Sequence, residues 1–521
     1  MGLYDTRTNR RSFAKTIDWW LLGCYLVLVL IGILNIYASV HSVDGGNIFD
    51  PSLRSGKQFI WLLISLGVGA LVLFVIPPRI YEGFSLPLYI IMMLLLVAVI
   101  FLSRDVKGSH SWFTLGPISF QPAELSKTTT SLMLATLMSQ VDYRINKTKD
   151  FLLTAVIILV PMLTIVAQKE TGSALVYCGF IFMLYREGLS GWFIVTAAMA
   201  ILVFILTLTV SPYAAMLALT VVVTAYVCLS NGKIKPLLLI GIPVTVLYAF
   251  IPAILGKIAE AIDNPESFFM KIKPEYILFL TIVVALPFVL RSAFRNRHLY
   301  TYVAVAALAV GIGFTYSVDF IFDNILQEHQ RSRIEVLLGM KDDPAGVGYN
   351  VNQSMIAIGS GGFAGKGYLQ GTQTTFGFVP EQSTDFIFCT IGEEWGFLGS
   401  AAVILIYAFL ICRIIIDSEH SREAFTRIYG YCFASCIFMH LFINIGMTIG
   451  LMPVIGIPLP FISYGGSSLL SFSLMFFIFM ALDKNERKYF ETLEYEKANR
   501  TDSVFPHRGG HIFRVSADYR V

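Results

Sequence analysis

Most of this chain is built of uninterrupted apolar blocks about 18 residues long or longer, the length an α-helix needs to cross a hydrocarbon core roughly 30 Å thick. A water-soluble fold breaks such runs into shorter ones, because one face of each element must meet solvent. With 56% hydrophobic and 14% charged residues among 521, the chain also has too little polar surface to clothe a soluble fold of its size. The reading is an all-α polytopic membrane protein. A net charge of +3 is too mild for a nucleic-acid partner, so the charges are read as markers of sidedness.

The blocks predict fourteen helices, near 17–40, 57–77, 82–103, 122–140, 151–167, 171–188, 190–210, 212–230, 234–255, 275–291, 299–319, 385–413, 424–450 and 464–483. The pair at 151–188 is joined so tightly through Gln168-Lys169-Glu170-Thr171 that a broken or re-entrant pair is one reading. Arg7, Arg10, Arg11 and Lys15 precede an apolar stretch too long for a signal-peptide core, so the first helix is expected to stay uncleaved with its basic end inside. With that orientation the clusters at Arg144/Lys147/Lys149, Lys233/Lys235, Arg291/Arg295/Arg297, Arg413/Arg422/Arg427 and Lys484/Arg487/Lys488 all fall on the inner side. Arg54, Lys57, Arg104 and Lys107 are the exceptions, falling outside.

This gives a cytoplasmic N-terminus (1–16), first membrane helices (17–210), a further helical stretch (211–298), one helix (299–318), a large outer loop (319–384), C-terminal helices (385–483) and a cytoplasmic tail (484–521) expected to be partly disordered. The outer loop holds ten glycines, six of them between Gly359 and Gly371. Long loops of that composition commonly carry function.

Ionisable groups inside or at the edge of spans are expensive to hold there, which makes Glu124, Lys127, Glu170, Asp385, Glu393, Glu394 and His440 candidates. Each also has a structural reading. Asp385 opens a helix beside the Gly-rich loop and suits either a cap or a proton acceptor. Glu393 and Glu394 lie two turns further on, and Glu124 and Lys127, three apart, can pair with each other. The turn-rich stretch Asp342 to Asn350, with Arg331, Arg333 and Lys366 nearby, reads as an anion cradle or as a solvated charge cluster. The seven cysteines sit almost wholly in apolar runs and read as small buried thiols; no metal-ligand spacing, nucleotide loop or Ser-His-Asp order stands out.

Four blocks carry a resemblance: FQPAELSK at 120–127, Tyr349-Asn350 through Gly367, FVPEQSTDFIFCTIGEEWGFLG at 378–399, and NIGMTIGLMPVIGIPLPFISYGGSS at 444–468. The sequence resembles the SEDS family (shape, elongation, division and sporulation; FtsW, RodA and SpoVE) over most of its length. Gln382 after Glu381 leans toward the RodA branch, and a division role stays open. The chain departs from the family pattern at Ser383, where His is usual, at Ser111 before Trp112, where Arg is usual, and at Lys169-Glu170 in place of Pro-Asp. The stretch 211–298 has no counterpart in a ten-helix family core, and adding an even four helices leaves the outer loop outside.

The resemblance implies a SEDS-type helical bundle in the cytoplasmic (inner) membrane, acting as a peptidoglycan glycosyltransferase on lipid II for cell elongation and shape. It implies Asp385 as general base for an inverting transfer at the outer face. Glu124 and Lys127 are second-rank partners. Glu381, Glu393, Ser463 and Tyr464 are expected in the cavity, with Arg331, Arg333 and Lys366 on the pyrophosphate. Trp112 either stacks on a sugar or anchors at the interface. A divalent cation, Mg or Mn, is left open, and the expected partners are a class B penicillin-binding protein and membrane lipids. A lipid II flippase and a non-catalytic scaffold for that transpeptidase are the rival readings.

Overall fold

The computed structural model describes residues 16–41, 46–103, 111–115, 118–230, 232, 235, 237–261, 273–297, 299–326, 328–341, 343, 346 and 348–504. Expectations for Arg7, Arg10, Arg11, Lys15, Arg104, Lys107 and Lys233, and for Asp342, Pro344, Ala345 and Val347 of the turn-rich loop, lie outside the described residues.

The first helices are α1 (Trp19–Val40), α2 (Arg54–Phe74) and α3 (Pro78–Leu102). A short antiparallel hairpin follows, β1 (Phe113–Leu115) with β2 (Ile118–Phe120), Phe113 opposite Phe120. Next come α4 (Pro122–Met138), α5 (Thr148–Ala167), α6 (Thr171–Val176) and α7 (Phe180–Arg186), then α8 (Trp192–Thr209), α9 (Pro212–Ser230), α10 (Ile242–Ala261), α11 (Pro274–Asn296) and α12 (Leu299–Phe320). The Gly-rich region holds α13 (Glu328–Leu337), α14 (Tyr349–Gly361) and α15 (Thr372–Thr375). The chain closes with α16 (Ile387–His420), α17 (Ala424–Thr448) and α18 (Gly466–Val504).

All fourteen expected segments are helical. Among the described residues, twelve helices are long and apolar enough to cross a membrane. The two that fall short explain themselves. α4 has 17 residues, almost all buried, and carries Glu124, Ser126, Lys127 and three consecutive threonines. Such a helix is tolerable at membrane depth only when protein surrounds it. The 171–188 segment is broken, with a 3-10 turn at Tyr177–Gly179 separating α6 from α7.

α18 continues to Val504 through a stretch rich in Lys, Glu and Arg, all good helix formers, and the rest of the expected tail lies outside the described residues. The segment 385–413 is not one continuous helix. Gly396 interrupts α16 with φ 65° and ψ −157°, so a short helix from Ile387 is joined to a long one across a kink.

The chain forms two compact units. One comprises 1–188, 353–449 and 455–521; the other comprises 189–352 and 450–454. In the first, Tyr25 of α1 stacks on Phe476 of α18 at 4.8 Å and meets Phe461 edge-on at 5.2 Å, and its hydroxyl shares a 3.0 Å hydrogen bond with Ser473. α1 begins where Asp18 accepts from the N–H groups of Trp20 and Leu21, a side-chain N-cap. In the second unit, Tyr213 and Met216 of α9 pack with Leu278 of α11 and Ile312 of α12, and Ala215 and Leu219 pack with Val203 of α8. The stretch 211–298 belongs wholly to this second unit.

Candidate active site

The Gly-rich segment earns its glycines at the kink of α16. Lys366 N donates to Glu393 O and Gly367 N to Glu394 O, each at 3.0 Å; Phe397 N donates to Gly362 O at 2.9 Å and Leu398 N to Phe363 O at 3.1 Å. Backbone freed by the break is thereby satisfied by the loop. A Cβ at Gly361 or Gly365 would collide with the carbonyls of Gly392 and Glu394, so side chains are excluded there.

The same loop is anchored by Glu393, whose side chain is fully buried. Its carboxylate accepts from Lys366 Nζ at 2.7 Å, from Gln373 N and Thr374 N at 2.9 Å each, and from the Thr374 hydroxyl at 2.9 Å. Lys366, expected on a pyrophosphate, is thus committed to an ion pair that ties the loop to α16. Glu394 is buried as well.

Asp385 is half-buried and sits just ahead of α16, whose N-cap position is Phe386. Its backbone is clamped. Asn444 Nδ2 of α17 donates to Asp385 O at 2.8 Å and to Ile457 O at 2.6 Å. Ser463 Oγ donates to Thr384 O at 2.6 Å and accepts from Leu459 N at 2.8 Å, while Tyr464 N donates to Ser383 O at 2.8 Å. Gln58 of α2 brackets this loop through Ser463 O and Gly465 N. Glu381, expected in the cavity, has φ 53° and accepts from the Thr384 hydroxyl at 3.1 Å. Facing the carboxylate is Gly456, φ 76°, where an added Cβ would lie 3.2 Å from Asp385 Oδ2.

Glu124 and Lys127 do pair, Nζ to Oε1 at 2.9 Å, with side chains 2% and 1% exposed. Lys127 Nζ also reaches His440 Nε2 at 2.8 Å and lies 5.1 Å from the centroid of Phe472. This trio is sealed in the protein, and Glu124 has no surface from which to meet a sugar.

Sequence reasoning missed Arg54. Its guanidinium donates to the Ser383 hydroxyl and lies 5.7 Å from the Tyr464 ring centroid, which puts an exposed cation two residues from Asp385. The signal was available: Arg54 breaks the inside rule for basic residues. Two departures from the family pattern also meet, Ser111 Oγ donating to Glu170 Oε2 at 3.1 Å. Trp112 is half-buried beside them in sequence. Arg331 and Arg333 belong to the second unit, where Arg331 pairs with Glu335 at 2.9 Å and Arg333 donates to Val454 O at 2.6 Å. Among the described residues no group of three or more His, Cys, Asp or Glu is placed to hold a metal ion, so no step is routed through a divalent cation.

The family model for FtsW, RodA and SpoVE, described as a cell cycle protein, matches residues 18–235 and 272–488; of the stretch 211–298, expected to lack a family counterpart, 236–271 alone is unmatched, and 211–235 and 272–298 are matched. The chain is 29% identical over 482 residues to the peptidoglycan glycosyltransferase MrdB of Escherichia coli K12, covering 92% of this chain and 97% of that one. It is 30% identical over 462 residues to the peptidoglycan glycosyltransferase RodA of Treponema pallidum, covering 87% and 94%. Among solved structures, a chain of a peptidoglycan synthase complex superposes with a TM-score of 0.56 at 21% identity, covering 90% of this chain and 98% of that one. The rod shape determining protein RodA of Thermus thermophilus gives 0.50 at 19%, covering 90% and 97%.

Proposed function

This chain belongs to the FtsW/RodA/SpoVE family, and on that footing we propose that it polymerises lipid II with Asp385 as general base. It is a peptidoglycan glycosyltransferase, a multi-pass membrane enzyme. The observation that carries the Asp385 reading is its setting: a half-buried carboxylate on a backbone fixed by Asn444, Ser463 and Tyr464, facing a residue with no side chain.

The chemistry follows from that setting. The acceptor sugar hydroxyl attacks the anomeric carbon of the donor as its proton passes to an Asp385 oxygen. The bond from that carbon to the diphosphate oxygen breaks, and the lipid diphosphate leaves with the electron pair. A single displacement inverts the anomeric centre. General-base assistance of this kind contributes roughly 10²–10⁴-fold. Charge develops on the leaving diphosphate, and a guanidinium fork suits its oxygens. Arg54 is an exposed guanidinium tied to the Asp385 segment, and it is the proposed diphosphate contact. Lys366, already paired with Glu393, is better read as holding the loop.

The active site is proposed to face outward from the cytoplasmic membrane, with both termini inside and a class B penicillin-binding protein as partner. The experiment is polymerisation of lipid II by purified protein, alone and with the partner. Glycan strands made in an Asp385-dependent way support the reading. Translocation of lipid II without polymer would favour a flippase, and polymer formed only by the partner would favour a scaffold. Cysteine labelling in intact cells tests sidedness: a Lys341 replacement should label from outside and a Lys147 replacement should not.

A further inference from the structure

We infer that His440 and Asn444 are positioning residues that hold Asp385 in register from one face of α17, a role that rests on Asp385 being the base. The two residues are four apart and so lie one above the other on the helix. Both are fully buried. Asn444 uses one amide nitrogen to bond the carbonyls of Ile457 and Asp385. His440 Nδ1 lies 3.0 Å from Pro458 O, the next carbonyl along the same loop.

Chemistry fixes the His440 tautomer. The Lys127 ammonium, held by Glu124, has three donors and no acceptor, so the Nε2 atom 2.8 Å away must accept. The ring proton then sits on Nδ1 and is donated to Pro458 O. A doubly protonated ring would set two donors against each other at Nε2. Glu124 and Lys127 thereby act on the site through His440, without touching substrate. They keep the imidazole in the one tautomer that can grip the loop.

The grip matters because the segment between Thr448 and Gly466 contains no helix or strand, and its own backbone bonds are the turn bonds from Ile462 N and Ser463 N to Leu459 O. Three consecutive residues are involved: Gly456 faces Asp385 Oδ2, and Ile457 and Pro458 are held by α17. A Cβ at Gly456 would already lie 3.2 Å from that oxygen, so little slack exists. Displacing a reacting group by about 1 Å typically costs on the order of 10²-fold in rate.

Two substitutions separate the halves of the imidazole. His440→Asn keeps a donor near Nδ1 and loses the acceptor for Lys127. His440→Gln keeps an acceptor near Nε2 and leaves Pro458 O without its donor. Lipid II polymerisation by full-length protein is measured for kcat, KM and pH-rate profile, with thermal melting as the control for fold. His440→Gln is expected to lower kcat at least about tenfold, with KM within about twofold and the acid limb of the profile displaced. His440→Asn should stay closer to wild type in kcat. Asn444→Ser, which loses both carbonyl bonds, should follow His440→Gln, and it stands in for it if that variant does not fold.

Loss of activity only in proportion to folded protein would overturn the inference. So would an effect on KM alone, or an unmoved pH profile. Asp385→Asn is run beside them. An active Asp385→Asn protein overturns the base assignment and this inference together; an inactive one beside a wild-type-like His440→Gln overturns the positioning role alone.

Discussion

Arg54 of α2 donates its guanidinium to the hydroxyl of Ser383, two residues before Asp385 and 329 residues away along the chain. At this position the family pattern has His, and the serine found here is bonded by a cation from the first helices. If that guanidinium also meets the leaving diphosphate, Arg54→Gln removes a charge-assisted contact worth about 1.5–3 kcal/mol. Polymerisation by purified protein should fall about ten- to hundredfold. Arg54→Lys should recover only part of the loss, since an ammonium lacks the planar fork. Wild-type rates in Arg54→Gln would remove Arg54 from the site.

Asp385→Asn should leave protein level and melting temperature near wild type, because Asn keeps nearly the same shape and a side-chain oxygen that can still accept a hydrogen bond at the helix start. Polymer should fall by roughly 10²–10⁴-fold. Asp385→Glu retains the base but moves it by a methylene and should be intermediate. A gel of lipid II products, normalised to folded protein, decides it. Glu124 does not offer a replacement base, being 2% exposed and paired with Lys127.

Glu393→Gln should behave differently. It keeps the shape but loses the charge that Lys366 and four further donors converge on. Melting temperature is expected to drop, with activity per folded molecule close to wild type. A normal melting temperature with abolished turnover would place Glu393 in the chemistry instead of the scaffold.

Glu423 precedes α17 in the short turn after α16 and gives a pH test away from the membrane core. Burial, with Glu486 and Glu82 close by, raises its carboxyl above the usual 4.5, against an opposing pull from Arg79. For a raised acid the folded state binds more protons than the unfolded one between the two pKa values, so stability falls as pH rises through that window. Glu423→Gln removes the titration. Relative to wild type the variant should melt higher at neutral pH, with the advantage vanishing below about pH 4.5. An advantage independent of pH would refute the coupling.

What could be read beforehand had one property in common: it was local in sequence. Hydropathy over 18 residues located the long apolar helices, because the cost of exposing backbone to lipid depends on a contiguous run, but not α13, α14 or α15 of the Gly-rich region. The motif 378–399 pointed to Asp385 and Glu393 for the same reason. What hydropathy did not show is why α4 can be so polar: its composition is tolerated only because neighbours surround it.

Pairings were not legible. The sequence alone determined that this is a many-helix membrane protein with its candidate base beside a Gly-rich loop. Only the tertiary structure decided what each ionisable group is for: Lys366 spent on Glu393, Lys127 on His440, Arg54 brought to Ser383. A buried charge must find a partner or remain costly, but the partner can come from any helix that packs alongside. Packing across hundreds of residues leaves no trace in local composition, and it is packing that turns a list of ionisable residues into a site.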